Sequence, residues 1–139
     1  MSNRVLGIDY GEARTGLAVS DEMCFLANGI GTVDERDINR LINKIADTAA
    51  QYAVCKIVLG NPVNMNGTLG PKAEKVAKLA ERLREKTGVE VVLFDERMTT
   101  MAAHKFLNET NTKGKKRKGI VDTLSAQIIL QNYLDSKKI

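Results

Sequence analysis

The sequence predicts an α/β protein built on a mixed five-stranded sheet, with three antiparallel strands, then two parallel ones, and helices on both faces. Three short runs of β-branched and apolar residues come first, and the links between them are short enough to require antiparallel neighbours. Runs with helical spacing then alternate with short apolar runs, which indicates parallel strands joined by crossover helices. The 139 residues, 43% of them hydrophobic and 27% charged, fit a single domain over residues 1–139.

The predicted elements follow the order βββαβαβαα. Strands are expected over residues 4–10, 15–20, 24–33, 56–59 and 91–96. Asp37 is expected to cap the first helix, while Pro71 begins the second helix and Gly88 ends it. The remaining elements are a short helix from Thr99 or Thr100 through Leu107, a basic loop, and a last helix over about residues 120–134.

Several classes of protein are excluded by composition. The longest apolar run is five residues, 23–27, which is too short for a membrane span, and no secretory apolar region follows the N-terminus. The two cysteines, Cys24 and Cys55, lie 31 residues apart without a C-x-x-C pair, so neither zinc nor a disulfide framework is expected. We interpret both as small core residues of a cytoplasmic protein that does not associate with a membrane.

The positive charge is concentrated in the second half of the chain. Residues 1–70 contain 6 Lys or Arg and 8 Asp or Glu, whereas residues 71–139 contain 15 and 9. Five of the basic residues fall in one short run, Lys113, Lys115, Lys116, Arg117 and Lys118. This run favours a polyanionic partner, nucleic acid above all, although a solvated loop is the other interpretation.

Acidic residues occupy positions where a sheet is usually apolar. Asp9 lies in the first strand, Asp95 and Glu96 end the fifth, and Asp122 opens the predicted last helix. A charge near a core is costly unless it is paired or binds a metal. For Asp122 alone, the simpler interpretation is an acid in the first turn of a helix, where the helix dipole favours negative charge. For Asp95 and Glu96, the simpler interpretation is a solvent-exposed strand end whose acids pair with Arg97. Together the carboxylates could converge as oxygen ligands for Mg²⁺ or Mn²⁺.

Glycines and amides surround these acids in the sequence. Gly7, Gly11 and Gly16 are expected to leave the backbone near Asp9 bare, so that phosphates can approach. No P-loop or dinucleotide-binding pattern is present. The loop after the fourth strand offers three amides beyond the carboxyl end of a parallel strand, where open sheets bind ligands. They are Asn61, Asn64 and Asn66.

Four ordered blocks carry a family resemblance. They are G-I-D-Y-G-x-x-R-T-G-L-A-V-S-D (7–21), V-L-G-N-P-x-N-M-N-G-T (58–68), F-D-E-R-M-T-T (94–100) and K-K-R-K-x-x-V-D-x-x-S-A-x-x-I-L-Q-x-Y-L-D (115–135). Together they resemble the YqgF/RuvX family of Holliday-junction resolvases, also described as pre-16S ribosomal RNA nucleases. The resemblance covers essentially the whole chain and implies a ribonuclease-H-like fold.

Residue by residue, the resemblance implies a catalytic and metal-binding set of Asp9, Glu96 and Asp122. Asn61 departs from the family, which more often has an apolar residue before the proline. The acid that related resolvases have near the end of strand four is absent, so strand five must supply it. Because side chains alternate along a strand, we expect only one of Asp95 and Glu96 to face the site, with Asp95 held in reserve.

The expected function is metal-dependent hydrolysis of a phosphodiester bond in structured nucleic acid. The resemblance implies a nuclease for the 5′ end of pre-16S ribosomal RNA, with a resolvase of four-way DNA and a non-catalytic RNA-binding module as alternatives. Arg14, the three amides and the basic run are expected to hold the substrate backbone. With three Phe, three Tyr and no Trp, stacking of single-stranded bases is disfavoured. The sequence leaves open whether the protein is a monomer or a homodimer.

Overall fold

The structure, a computed structural model, describes residues 3–62, 70–95 and 114–137, with side chains in the last segment from residue 123 onward. The strands are β1 (Val5–Asp9), β2 (Arg14–Ser20), β3 (Ala27–Asp34), β4 (Lys56–Asn61) and β5 (Glu90–Asp95). The helices in this part of the chain are α1 (Ile38–Gln51), α2 (Pro71–Thr87) and α3 (Gly114–Ser136).

The five strands form one sheet in the order β3-β2-β1-β4-β5. β1 and β3 pair antiparallel with β2, because short turns connect these strands in sequence. β4 pairs parallel with both β1 and β5, and the connections that allow this contain α1 and α2. The predicted mixed sheet is therefore confirmed, including the change from antiparallel to parallel pairing.

The predicted helix ends are also confirmed. Asp37 accepts hydrogen bonds through Oδ1 from the amides of Asn39 at 2.9 Å and Arg40 at 3.1 Å, so it caps α1. Pro71 is the first residue of α2. Gly88 ends α2 with a φ of 69°, a left-handed conformation that glycine adopts without steric cost.

Helices cover the two faces of the sheet and bury a separate apolar cluster on each. On one face, α1 and α2 pack against alternate residues of the central strands, such as Leu6, Ile8 and Leu59. On the other face, α3 packs against the intervening residues, such as Val5 and Val58. We call these the α1/α2 face and the α3 face, and the alternation between them decides where each polar side chain of a strand lies.

Helix α3 begins earlier than predicted. It starts at Gly114 rather than near residue 120, so residues 115–118 form its first turns and the predicted basic loop is wrong there. Lysine and arginine are good helix formers, and this propensity outweighs the loop signal from Gly114 and Gly119. Asp122 consequently lies in the third turn of the helix, which removes the interpretation of a first-turn acid. The predicted short helix from residue 99 to 107 lies outside the described residues.

The third strand begins at Ala27 rather than Cys24, because the chain first turns at residues 21–26. The prediction that both cysteines are core residues is wrong. Cys24 is half-buried in this turn, Cys55 is exposed just before β4, and both are free thiols. Over the described part of the chain, no helix combines the length and apolar character that a membrane crossing requires.

Candidate functional site

Asp9 is the half-buried last residue of β1, at the carboxyl end of the central strand. Leu6 and Ile8 belong to the apolar cluster under α1 and α2, whereas Val5 belongs to the cluster under α3. Since side chains alternate along a strand, Asp9 lies on the α3 face together with Val5 and Gly7. The carboxylate therefore stands at the end of the sheet, on the side covered by the last helix.

The strands on either side of Asp9 carry glycines at its level. On β2, Gly16 is the direct partner of Asp9. On β4, Leu59 pairs with Ile8, so the following residue, Gly60, lies beside Asp9. Neither glycine has a side chain on the α3 face, so neither direct strand neighbour places a side chain beside the carboxylate. Gly60 was not predicted as a site residue, although its position directly after a predicted buried strand could have indicated it.

Two other glycines near Asp9 have a different role from the one predicted. A Cβ atom on Gly7 would lie 2.7 Å from the Leu130 Cβ and 3.2 Å from the Ala126 carbonyl oxygen, so α3 itself occupies this space. A Cβ atom on Gly11 would collide with the Arg14 carbonyl oxygen across a tight turn. The prediction that Gly7 and Gly11 stay bare for a phosphate is wrong, because protein atoms fill both positions.

The close contact at Gly7 also fixes the level of α3 above β1. Residue 122 precedes Ala126 by about one helical turn, a rise of about 6 Å. Asp9 follows Gly7 by two residues on the same face of β1, about 6.6 Å. The backbone thus places residue 122 on the same face of the sheet as Asp9, about 6 Å along the helix from the contact with Gly7. Ser125 lies between residue 122 and Ala126 in the helix. It is completely buried, and its Oγ has no hydrogen-bond partner among the described atoms.

Asp95 and Asn61 lie on the opposite face from Asp9. Val91 belongs to the α1/α2 cluster, whereas Val92 and Phe94 pack against the α3 cluster, so the next alternation puts Asp95 on the α1/α2 face. Asn61 pairs with Asp95 across β4 and β5 and shares that face. Asp95 is exposed and Asn61 half-buried at the carboxyl edge. They are therefore near the candidate site but not on its side of the sheet.

Arg14 begins β2 and is half-buried. It precedes Gly16 by two residues, so alternation puts it on the α3 face, just beyond the end of β1. The turn between β1 and β2 is anchored to α2 by an ion pair of 2.6 Å between Lys75 Nζ and a Glu12 carboxylate oxygen. The hydrogen bond from Lys75 holds the pKa of the Glu12 carboxyl below its usual value. The pair is exposed, so we regard it as a positional restraint rather than a source of stability.

The other predicted site residues lie outside the described side chains. Glu96, Asn64, Asn66 and Lys113 are not in the described segments. For four basic residues and one acid, only the helical backbone of α3 is described: Lys115, Lys116, Arg117, Lys118 and Asp122. Among the side chains that are described, no three of the His, Cys, Asp or Glu type meet in a possible metal site.

Comparison with known proteins gives consistent relationships over nearly the whole chain. The family model described as "RuvX: Holliday junction resolvase" matches residues 3–136. A "Putative pre-16S rRNA nuclease" of Bacillus cytotoxicus is 47% identical over 137 residues, covering 96% of this chain and 99% of the relative. A protein of the same name from Ruminiclostridium cellulolyticum is 41% identical over 133 residues, covering 95% and 94%.

Solved structures extend the likeness to more distant proteins. RuvC of Thermus thermophilus, in complex with a Holliday junction substrate, superposes with a TM-score of 0.59 at 16% identity, covering 96% of this chain and 94% of RuvC. The Fowlpox virus resolvase gives a TM-score of 0.60 at 11% identity, covering 96% and 97%. At these identities the likeness concerns the fold alone. The chain belongs to the RuvX family and is a nuclease with the ribonuclease-H-like fold.

Proposed function

We propose that this nuclease hydrolyses phosphodiester bonds with divalent cations held by Asp9, Glu96 and Asp122. The observation that carries the proposal is the position of Asp9, a half-buried carboxylate at the end of a central strand with glycines on both sides. No side chain of a paired strand lies directly beside this carboxylate, and the helix that contains Asp122 packs on the same face of the sheet. Carboxylate oxygens are the ligands that Mg²⁺ and Mn²⁺ prefer, so the donor set fits either ion.

Glu96 is preferred to Asp95 as the strand-five ligand. Asp95 lies on the α1/α2 face, opposite Asp9, and a side chain there cannot share a cation with Asp9 through the sheet. Glu96 is the adjacent acid in the same motif, and side-chain direction alternates along a strand. We therefore assign the ligand to Glu96 and treat Asp95 as a residue of the substrate-facing edge.

The buried hydroxyl of Ser125 supports a polar site at this point of the α3 face. It follows Asp122 by three residues, a spacing that puts two side chains on the same side of a helix. A buried hydroxyl without a partner is destabilising, and a bound water molecule or ion is one arrangement that satisfies such a group. A cation with its bound water molecules would provide that partner.

In the proposed mechanism, the protein binds and positions the scissile phosphate. A bound divalent cation would activate water and stabilise the charge that develops in the transition state. Asp9 supplies fixed negative charge to retain the cation, and Gly16 and Gly60, which have no side chains, would let the phosphate approach. Arg14 pairs with a flanking phosphate on the same face. Residues 115–118 attract the substrate backbone, because their positive charges coincide with the positive end of the α3 dipole.

The proposed substrate is structured RNA at the 5′ end of pre-16S ribosomal RNA, and in support two relatives carry the name "Putative pre-16S rRNA nuclease". This assignment implies a cytoplasmic enzyme, which agrees with two cysteines that remain free thiols. The second candidate is four-way DNA, which the description of the family model favours. Cleavage by isolated protein distinguishes these substrates.

The test is cleavage of labelled precursor RNA and of a four-way DNA junction, with Mg²⁺ and then Mn²⁺, by wild-type protein and Asp9→Asn. Asparagine keeps the size of the side chain but removes the charge that retains the cation. We expect cleavage to fall by about 100-fold or more, because metal catalysis contributes several kcal/mol to the transition state. Asp47→Asn, at an exposed position of α1, is the matched control. Undiminished cleavage by Asp9→Asn would remove this residue from the mechanism.

A further inference from the structure

The end of the sheet opposite Asp9 has an apolar turn beside a cavity. In the turn between β2 and β3, three large apolar side chains are exposed: Met23 by 71%, Phe25 by 54% and Leu26 by 63%. The adjacent cavity, of about 320 Å³, lies between this turn, the start of β1 and β4, and the end of α3. We call the turn and the cavity together the amino-edge patch, because they lie at the amino ends of the parallel strands.

The turn is held in one conformation by hydrogen bonds. Asp21 Oδ1 accepts from the amides of Phe25 at 2.9 Å and Leu26 at 3.0 Å, and the Leu26 amide above all lowers the pKa of the Asp21 carboxyl. Gln131 of α3 donates to the Phe25 carbonyl at 3.0 Å. Cys24 has a φ of 59°, which a residue other than glycine rarely adopts. The apolar side chains therefore project from a fixed backbone, so ordering them on binding would require little further loss of entropy.

The cavity has an apolar floor and a basic rim. Val5, Leu134 and the Tyr133 ring line it, and Lys56 and Lys137 approach the ring with their Nζ atoms 5.6 Å and 5.3 Å from its centroid. Lys56 also donates to the Tyr133 hydroxyl at 3.0 Å and lies 3.2 Å from a Glu90 carboxylate oxygen. Lys137 is the rim cation that forms no ion pair with a described residue.

The turn carries a negative charge, opposite to that of the basic rim of the cavity. Glu22 is exposed beside Met23 and, like Lys137, has no ion pair within the described segments. An acidic, apolar projection and a basic, apolar cavity thus lie side by side on one surface. This is the arrangement that a two-fold interface needs, because in such an interface one patch contacts its own copy.

We propose that the amino-edge patch is a homodimer interface, occupied by a second copy of this chain. The turn of each protomer, with Met23 and Phe25, enters the cavity of the other, and Glu22 of one protomer pairs with Lys137 of the partner subunit. Burial of exposed aromatic and aliphatic side chains drives the association, and the charge pairs set its orientation.

This dimer would keep both candidate nuclease sites open. The patch begins at Val5 and Asp9 ends the same strand, about 13 Å further along. Two-fold pairing through the amino edge therefore turns the carboxyl edges away from each other. Each site would act on its own substrate, whereas two cuts in one four-way junction require sites that face a common centre. The interface itself does not depend on the proposed chemistry.

The experiment is sedimentation velocity of the full chain over about 1 to 200 µM, a range that covers weak and moderate dimers. We expect a monomer–dimer equilibrium that Phe25→Glu weakens by about 30-fold or more, as expected for a central aromatic side chain. Leu93→Glu is the control, because Leu93 is an exposed apolar residue of β5 outside the patch. Circular dichroism checks that each variant is folded.

Charge reversal gives a second test, because a folding defect in the single variants would not be rescued by combining them. Glu22→Lys and Lys137→Glu should each weaken the dimer, and the double variant should restore most of the affinity. A protein that stays monomeric at the highest concentration would overturn the proposal. A dimer that Phe25→Glu leaves intact, or single reversals that the double variant does not rescue, would also overturn it.

Discussion

At the scale of single residues, the direction of a side chain across the sheet separates two adjacent acids. Asp95 lies on the face opposite Asp9, while the candidate site lies on the α3 face. We therefore predict that Glu96→Gln reduces metal-dependent cleavage by about 100-fold or more, because it removes a ligand charge. Asp95→Asn should retain most of the activity. Both variants are compared with wild-type protein in initial rates at saturating Mg²⁺.

The two substitutions control for each other, since each removes one negative charge from the same short segment. The opposite outcome, with Asp95→Asn inactive and Glu96→Gln active, would reassign the ligand to Asp95. It would also mean that the strand side of Asp95, inferred from Val91 and Phe94, does not determine which acid binds the cation.

Asp9 could be selected from sequence because a charge in an apolar strand has few structural explanations. Gly7 could not be interpreted correctly in the same way. A strand glycine permits close approach of either a ligand or another backbone, and the sequence pattern is the same in both cases. Only the packing of Leu130 and Ala126 on Gly7 distinguishes the two. Ser125, whose hydroxyl has no hydrogen-bond partner among the described atoms, likewise becomes noticeable only when its burial is known.

At the scale of elements, the first turns of α3 combine a helix N-terminus with a dense positive charge. Residues 115–118 contribute four cations where the helix dipole is also positive. We predict that replacing Lys115, Lys116, Arg117 and Lys118 by alanine weakens binding to all nucleic acid sequences alike. The log–log dependence of affinity on salt should flatten by about 0.7–0.9 for each phosphate that the variant no longer binds. Alanine preserves the helix, so cleavage at saturating substrate should decline less than affinity.

Fluorescence anisotropy at several salt concentrations measures both the affinity and its salt dependence. Lys78→Ala combined with Lys86→Ala is the control, because it removes exposed positive charges from α2 and leaves α3 unchanged. Equal affinity and an unchanged salt slope in the quadruple variant would show that residues 115–118 are only solvated. Substrate binding would then be confined to the segments around Arg14 and Asn61.

Element boundaries were predictable where a specific terminal signal exists. Asp37, with its side-chain hydrogen bonds, caps the start of α1 as predicted. Gly88, in a left-handed conformation, ends α2 as predicted. The start of α3 has no such signal, since glycines on both sides of a lysine-rich run resemble a loop. The strand that begins at Ala27 was extended too far because residues 24–26 are apolar, although Asp21 turns the chain there. In both places, local hydrogen bonding or helix propensity outweighed the hydrophobic pattern.

At the scale of the whole molecule, connection lengths were sufficient to predict which strands are antiparallel and which are parallel. Short links require antiparallel partners, and crossover helices allow parallel ones. The position of β4 beside β1, in the order β3-β2-β1-β4-β5, was not predicted. The amino-edge patch was not predictable in this way. Its parts come from the turn after β2, the start of β4 and the end of α3, and only the folded chain brings them together.

Metal binding should be visible in the stability of the whole molecule, independently of cleavage. If Asp9, Glu96 and Asp122 share a cation only in the folded protein, Mn²⁺ should raise the free energy of unfolding by about 2.7 kcal/mol at 100 times its Kd. Asp9→Asn should lose most of this gain. Without metal, the same variant should melt at a higher temperature than wild type, because repulsion among the carboxylates is relieved. Thermal unfolding followed by circular dichroism, with and without Mn²⁺ and with Asp47→Asn as control, measures both effects. An equal gain from Mn²⁺ in Asp9→Asn would place the cation elsewhere in the protein.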